Sequence, residues 1–513
     1  WNKTRVDLTS NATISPAGVQ NASLIVPTTV SGDHLLRSDS MITSITIGLK
    51  YTFSSFAKQA GYKYYRIYNT VADTQTTFDL STGTMVENTG DDYSITDMGN
   101  GWYKLTHTFT GAATGNEKFR TSVLDNSLQR VYPGDGISGI YVFGMGAEQQ
   151  SYATSYIPTN GAASTRLRDI ATNSGNANLI NSSEGVLYAE IKGFENDLSG
   201  RYISISDGTS NNAIRIYYYS DGGTVFFRKN VNNVGVITSA TSAISQSALT
   251  KIAIRYDSTS FDVFSNGIKI LTNLDSNTFS NNTLNTISFT DADGSGSPFY
   301  GKNKALAVYK TALTDASLRC LTYPPAVATT FDLDFDTIAE QFTFTRGSEA
   351  TFVNAQGLIQ STNEIGSELV TNGDFATDSD WTLGSNTTIS GGKLINSNSS
   401  SYSSVSQNIA MSAGTYLFTY TIDNISGGGF FVGFTGFNGV TRYAAGTYSE
   451  YVTLSSSSTT MFLAPVNTGM TYTIDNISVK EYTTATNTPR LDYSTGSEAF
   501  LLEPQSTNLV PYS

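Results

Sequence analysis

The chain has 513 residues, enough for roughly three to four domains with cores of their own, and a formal net charge of −13. Neutralising phosphates needs clustered Lys and Arg, and no basic stripe occurs, so nucleic acid is not an expected partner. A single cysteine, Cys320, excludes an intrachain disulfide framework, and with only His34 and His107 beside it a Cys/His zinc site is not expected either.

No apolar run reaches the length of about 18 residues that a membrane helix needs, so no membrane insertion is expected. A signal peptide is absent, which favours no particular source. Aromatics make up 12% of the chain and charged residues only 14%, with Ser, Thr, Asn and Gly supplying the remaining polar surface. That mix suits β-sandwiches with neutral, hydrogen-bonding exteriors. Strand-like runs alternate with Gly, Asn, Asp and Ser clusters, and helical periodicity is nearly absent. The expected fold class is all-β, a string of antiparallel β-sandwich domains.

Residues 1–168 form the first predicted module, with alternating runs KYYRIYN (Lys63 to Asn69), GWYKLTHTF (Gly101 to Phe109) and GIYVFGMGAEQ (Gly139 to Gln149). In GYKYYRIYN, Tyr62, Tyr64, Arg66 and Tyr68 fall on one face, opposite Tyr65 and Ile67. A pyranose offers an apolar face and many hydroxyls, so such a stripe is a candidate glycan platform; it also fits a strand facing solvent or a subunit. His107 alternates with Tyr103 and Leu105 and reads as a strand residue, not a base, and His34 in SGDHLLRS reads the same way. The series GNGWYKLT, GIYVFGMGAEQQSYATSYIPT and TRLRD resembles the carbohydrate-binding-module-like jelly roll of phage fibre and spike proteins. The resemblance implies a core position for Trp102.

Residues 169–325 form the second module. In KIAIRYDSTSFDVFSNGIKIL (Lys251 to Leu271), Asn266 and Gly267 predict a tight hairpin turn. In IRIYYYSDGG, Arg215, Tyr217 and Tyr219 share a face opposite Ile214, Ile216 and Tyr218, a second candidate platform with the same alternative reading. DADGSGS offers Asp291 and Asp293 in a turn but lacks the acidic closing residue of an EF-hand loop, so a Gly-rich hairpin is the favoured reading. The ending FYGKNKALAVYKTALTDASLRCLT resembles the closing strand and short helix of laminin-G or concanavalin-A-like sandwiches, a fold that hosts lectins, hydrolases and inert spacers alike.

Residues 326–365 and 483–513 are predicted as a β connector interrupted by an insert, 366–482. FDLDFD places Asp332, Asp334 and Asp336 on one strand face, a pattern that could cleave glycans or simply wet one side of a half-buried strand. The insert opens with ELVTNGDFATDSDWTL and closes with YTIDNISVKEY, resembling family-4/9/22-type carbohydrate-binding jelly rolls. That resemblance implies a core position for Trp381 and a structural calcium ion at Asp374 and Asp475, although Ala376 stands where the family's NGxFE motif has Glu. YTIDNIS occurs at Tyr420 to Ser426 and at Tyr472 to Ser478, as expected for two like strands of one sandwich.

FTRGSEATFVNAQGLIQ (Phe344 to Gln360) and LLEPQSTNLVPYS at the C-terminus resemble, in this order, two elements of tailed-phage virion proteins, in which a WxK segment like that at Trp1 follows the second. The order implies ends that cut a longer or repeating polypeptide, and no Met precedes Trp1. Together the resemblances imply a virion-surface protein (fibre, spike or capsid decoration) that is not an enzyme and binds host-surface glycans. Its further partners would be other virion proteins, and such fibres are commonly homotrimers. A secreted or surface bacterial adhesin and a glycan depolymerase are the alternatives.

Overall fold

A computed structural model describes residues 1–510 apart from 39–41, 71, 195–199, 222, 242–243, 247, 275–276, 295, 324–330, 334–337, 400–404, 436 and 495. The chain is nearly all β, and helix among the described residues is confined to Asp315–Thr322 and Ile338–Gln341. It divides into two compact units, Trp1–Thr362 with Thr486–Ser513, and Asn363–Ala485.

The first unit contains two sandwiches. The N-terminal one packs two six-stranded antiparallel sheets over a core that includes Phe53, Tyr65, Ile67, Phe78, Leu105 and Phe109. Period-two alternation builds it: Tyr65 and Ile67 are buried, while Tyr64, Arg66 and Tyr68 between them are only half-buried. The second sandwich has a seven-stranded and a five-stranded sheet, and its core takes Ile203, Ile205, Ile214 and Ile216 from the smaller one. Between Ser260–Ser265 and Ile268–Leu274 the chain turns at Asn266 (φ 46°) and Gly267 (φ 81°), both left-handed as the tight turn requires. Thr314 caps the short helix by accepting from the Ser317 amide (3.2 Å), and Leu318 and Leu321 pack on Val186 and Phe264.

Segments far apart in sequence close this unit. Thr343–Thr345 pairs with Ile170–Thr172, Phe500–Leu502 with Gly301–Asn303, and Ser506–Asn508 with Ser164–Arg166. Phe500 and Leu502 thereby enter the core of the second sandwich, and Val510 enters that of the first. Asn508 locks the junction: its side-chain oxygen accepts from the Ala147 amide (3.0 Å) and its nitrogen donates to the Ile157 carbonyl (2.9 Å).

Between the two cores lies a buried ion network. Asp169 accepts from Arg346 (3.2 Å), from Arg490 and from the Glu503 amide (2.8 Å). Arg490 also donates to Glu503 (2.7 Å) and to the Thr351 carbonyl (2.8 Å), and Arg166 stands 3.6 Å from Glu503. All five side chains are at most 2% exposed. Burial opposes the charge on Glu503, yet Arg166 and Arg490 hold its carboxyl well below the usual range; burial, with Arg490 alongside, pushes Arg346 down to about 10. The residues involved come from TRLRD, FTRGS, PRLDY and LLEP, so these four sequence segments have a structural role here.

The second unit, considered alone, is a sandwich of a six-stranded and a four-stranded sheet around Phe375, Trp381, Phe418, Tyr420, Phe430 and Tyr472. The two YTIDNIS copies lie on Gly414–Ser426 and Thr471–Thr483, which are adjacent antiparallel strands of one sheet. Like alternation on paired strands accounts for the repeat without a duplicated domain.

Candidate functional site

The outer face of the five-stranded sheet carries a cluster of aromatic rings. Alternation along Ala213–Tyr218 points Ile214, Ile216 and Tyr218 into the core and leaves Arg215 and Tyr217 outward, with Tyr219 following at 41% exposure. Antiparallel register then sets Tyr202 opposite Tyr217, and Tyr217 opposite Phe226. Tyr202 and Tyr217 stack with centroids 4.0 Å apart and planes 2° off parallel; Phe226 lies 5.8 Å from Tyr217, and Tyr219 meets both edge-on at 5.6 and 5.3 Å. Gly200 leaves space for this stack, since a Cβ there would stand 2.9 Å from the Tyr217 ring. Burial and the adjoining Tyr217 raise the Tyr202 phenol above its ordinary range, so it is a protonated hydrogen-bonding group at neutral pH.

Arg215 does not join the rings at the surface. It is 3% exposed, and its Nε donates to Asp291 (2.7 Å) while its other end reaches the Ser210 carbonyl (3.3 Å). The ion pair instead fastens the Asp291 turn to the sheet, where Gly294 (φ 71°) donates its amide back to the Asp291 carbonyl (2.8 Å). Arg215 is therefore held in this ion pair and is not presented beside the rings. Tyr202 and Phe226 complete the cluster and have no sequence signal of their own, because only cross-strand register brings them beside Tyr217.

On the first sandwich, Tyr64, Arg66 and Tyr68 share the outer face of the strand Tyr64–Asn69, but Tyr62 does not. It precedes the strand, so the period of two does not extend to it, and it is 8% exposed in the core, 5.6 Å from the ring of Tyr132. Arg66 is held by Thr77 (2.9 Å) and Glu87 (3.0 Å), and Tyr68 accepts from Arg120 (3.1 Å). Neither Tyr64 nor Tyr68 stacks on another ring among the described residues. This face is a set of ion pairs and single phenols, not a continuous aromatic surface.

Residues 170–319, the second sandwich, match the family model of the concanavalin A-like lectin/glucanases superfamily. Among solved structures, the chain is similar to the CBM40 of the Ruminococcus gnavus IT-sialidase bound to alpha2,3 sialyllactose, at 19% identity over 32% of this chain and 99% of that one, with a TM-score of 0.26. Domains LG4-5 of the mouse laminin alpha1 chain match at 14% identity over 57% and 89%, TM-score 0.23. The native heptameric SAP-like pentraxin of Limulus polyphemus matches at 16% over 33% and 82%, TM-score 0.26. No curated protein matches the chain.

Both histidines are buried. His34 has one ring nitrogen 2.6 Å from the Arg5 carbonyl oxygen and the other 2.8 Å from that of Tyr132. His107 sits between Thr74 and Thr76 (3.1 and 2.9 Å), and burial pushes its imidazole down to about 4. This leads to an expected acid response. The folded ring takes its proton only near pH 4 and the unfolded ring near 6.5, so the unfolded state binds more protons between those values. The His107 contribution is complete above pH 6.5 and falls away towards pH 4, by about 3 kcal/mol in all. Urea denaturation of the protein and of His107→Gln at pH 7 and pH 4.5 should give a smaller acid loss for the variant.

Trp102 and Trp381 occupy cores, their indole nitrogens donating to the carbonyls of Ile14 (3.3 Å) and Asn372 (3.0 Å). Asp334, Asp336 and the side chain of Asp332 lie outside the described residues. Asp374 accepts from the amide of Ala376 in its own loop (3.3 Å), whereas Asp475 lies 3.9 Å from Lys393, which also pairs with Asp423. No group of three or more His, Cys, Asp or Glu side chains suited to a metal occurs among the described residues. Calcium takes six to eight oxygens, and an Asp475 carboxylate already facing an ammonium does not fit it.

Proposed function

We propose that the chain is a carbohydrate-binding structural protein of a tailed-phage virion surface, a fibre, spike or capsid-decoration component that attaches to host-surface glycans. The observation that carries the binding reading is the Tyr202–Tyr217–Tyr219–Phe226 cluster, three half-buried rings and the exposed Tyr219 on the domain that matches a lectin superfamily. Flat rings take the apolar face of a pyranose, and the phenols beside them serve its hydroxyls. The virion placement rests on the two phage-like sequence blocks. In this reading the protein binds its glycan without cleaving it. A single shallow patch binds weakly, so attachment comes from several copies held together, as in a homotrimer. In this reading the phage supplies the other virion partners, and the chain lies on the outside of the particle.

A glycan array probed with the protein and with Tyr217→Ala tests the binding reading. The expected result is retention of a defined set of glycans, with affinity lowered at least about tenfold by Tyr217→Ala and unchanged by Tyr64→Ala. Retention of no glycan, or equal binding by Tyr217→Ala, would overturn it. Electron microscopy of the source particle locates the chain and tests the virion placement separately.

A further inference from the structure

A second concave site lies within the first unit, where the N-terminal sandwich, the second sandwich and the C-terminal segment meet around a cavity of about 290 Å³. That is near the lower end of ligand pockets, room for about one to two sugar rings. One wall is a sheet face of hydroxyls: Ser94 lies opposite Thr106, which bonds both its amide and its hydroxyl (2.7 Å each), and Asp92 lies opposite Thr108. Another wall is flat and apolar, where Tyr152 of the first sandwich stacks on Phe194 of the second, centroids 4.8 Å apart and planes 22° off parallel.

The charges of the lining are unevenly matched. Lys302 is held by Asp492 (2.6 Å), and Glu503 by Arg490 and Arg166. Lys104 donates to the Thr154 carbonyl (2.8 Å) but has no carboxylate at ion-pair distance among the described residues, and neither has Lys192. Glu148, the strongest carboxylate influence on Lys104, is taken up by Thr154 (3.0 and 2.6 Å) and Ser506. Burial lowers the Lys104 ammonium below its ordinary range, against the opposing pull of the Glu148, Glu503 and Asp492 carboxylates. Of the carboxylates in the lining, Asp492 and Glu503 have cations at ion-pair distance, and Asp92 has none among the described residues. In a protein of net charge −13, two ammoniums at one cavity with no carboxylate at ion-pair distance among the described residues mark a place for an anion.

We infer that this cavity binds an acidic monosaccharide, a pyranose bearing a carboxylate. The carboxylate is taken by Lys104 and Lys192, the ring hydroxyls by Asp92, Ser94 and Thr106, and the apolar ring face by Tyr152 and Phe194. The site is distinct from the Tyr217 cluster and does not depend on it.

Calorimetric titration of the full chain with D-glucuronate, D-glucose and acetate tests the inference. Glucuronate should bind at least about tenfold more tightly than either glucose or acetate, because only it offers both the charge and the hydroxyls. Lys192→Gln, a surface replacement that leaves the core intact, should weaken glucuronate about tenfold, and Tyr217→Ala should leave it unchanged. Equal binding of glucose would remove the charge from the account, and equal binding of acetate would reduce the site to a simple anion pocket. No glucuronate binding, an unaffected Lys192→Gln, or loss in Tyr217→Ala would each overturn the assignment.

Discussion

Replacing Arg490 by Met is expected to destabilise the unit Trp1–Thr362 with Thr486–Ser513 by about 3–5 kcal/mol, the cost of leaving buried charge without its partner. Met fills much of the same volume, so the loss is electrostatic before it is steric. Two carboxylates are affected at once: Asp169 keeps only Arg346 as a charged partner, and Glu503 only Arg166, 3.6 Å away. The freed Thr351 carbonyl and Ser155 hydroxyl add to the cost. Arg490→Lys should recover only part of it, since one ammonium cannot reproduce the fork that reaches both carboxylates. Differential scanning calorimetry can read the effect, and the transition of the unit Asn363–Ala485, which contains none of these residues, should not move.

Phe500→Ala is expected to cost a similar amount, about 3–5 kcal/mol. The ring is fully buried, with centroids 5.8 Å from Phe289, 6.0 Å from Phe344 and 6.3 Å from Phe342. Phe500 comes from a segment nearly two hundred residues after the strand it pairs with, so the sandwich that matches the lectin superfamily is completed from outside the matched stretch. A chain ending at residue 319 should therefore expose Phe289 and the edge of Gly301–Tyr309, and bind a hydrophobic dye that the intact chain excludes. Chemical denaturation of Phe500→Ala, followed by intrinsic fluorescence, measures the loss directly.

The fold was legible wherever one residue alternates with the next. Ile214, Ile216 and Tyr218 against Arg215, Tyr217 and Tyr219 gives the strand and its two faces, and Asn266–Gly267 gives a turn through backbone preference alone. Alternation says which residues share a face, but not what that face meets. Arg215 and Tyr217 are equivalent by period, yet Asp291, 76 residues on, draws one into an ion pair while Tyr202 stacks on the other. Tyr62 is misplaced by extending the period across Lys63, where the strand has not begun. The charge network was the least legible part, since Arg166, Arg346, Arg490 and Glu503 carry the residue types of a solvated surface. Apart from the Arg490–Glu503 pair, 13 residues apart, their burial follows from pairings between segments more than a hundred residues apart, which no local pattern encodes.

A crystal structure of the chain grown with its best array glycan tests most directly whether the aromatic cluster is a sugar platform. A pyranose ring lying against the Tyr217–Tyr202 stack, with its hydroxyls on the neighbouring phenols, is the predicted result. Glycan ordered only over Tyr64 and Tyr68, or sugar absent from the five-stranded sheet in a crystal saturated with ligand, would contradict it.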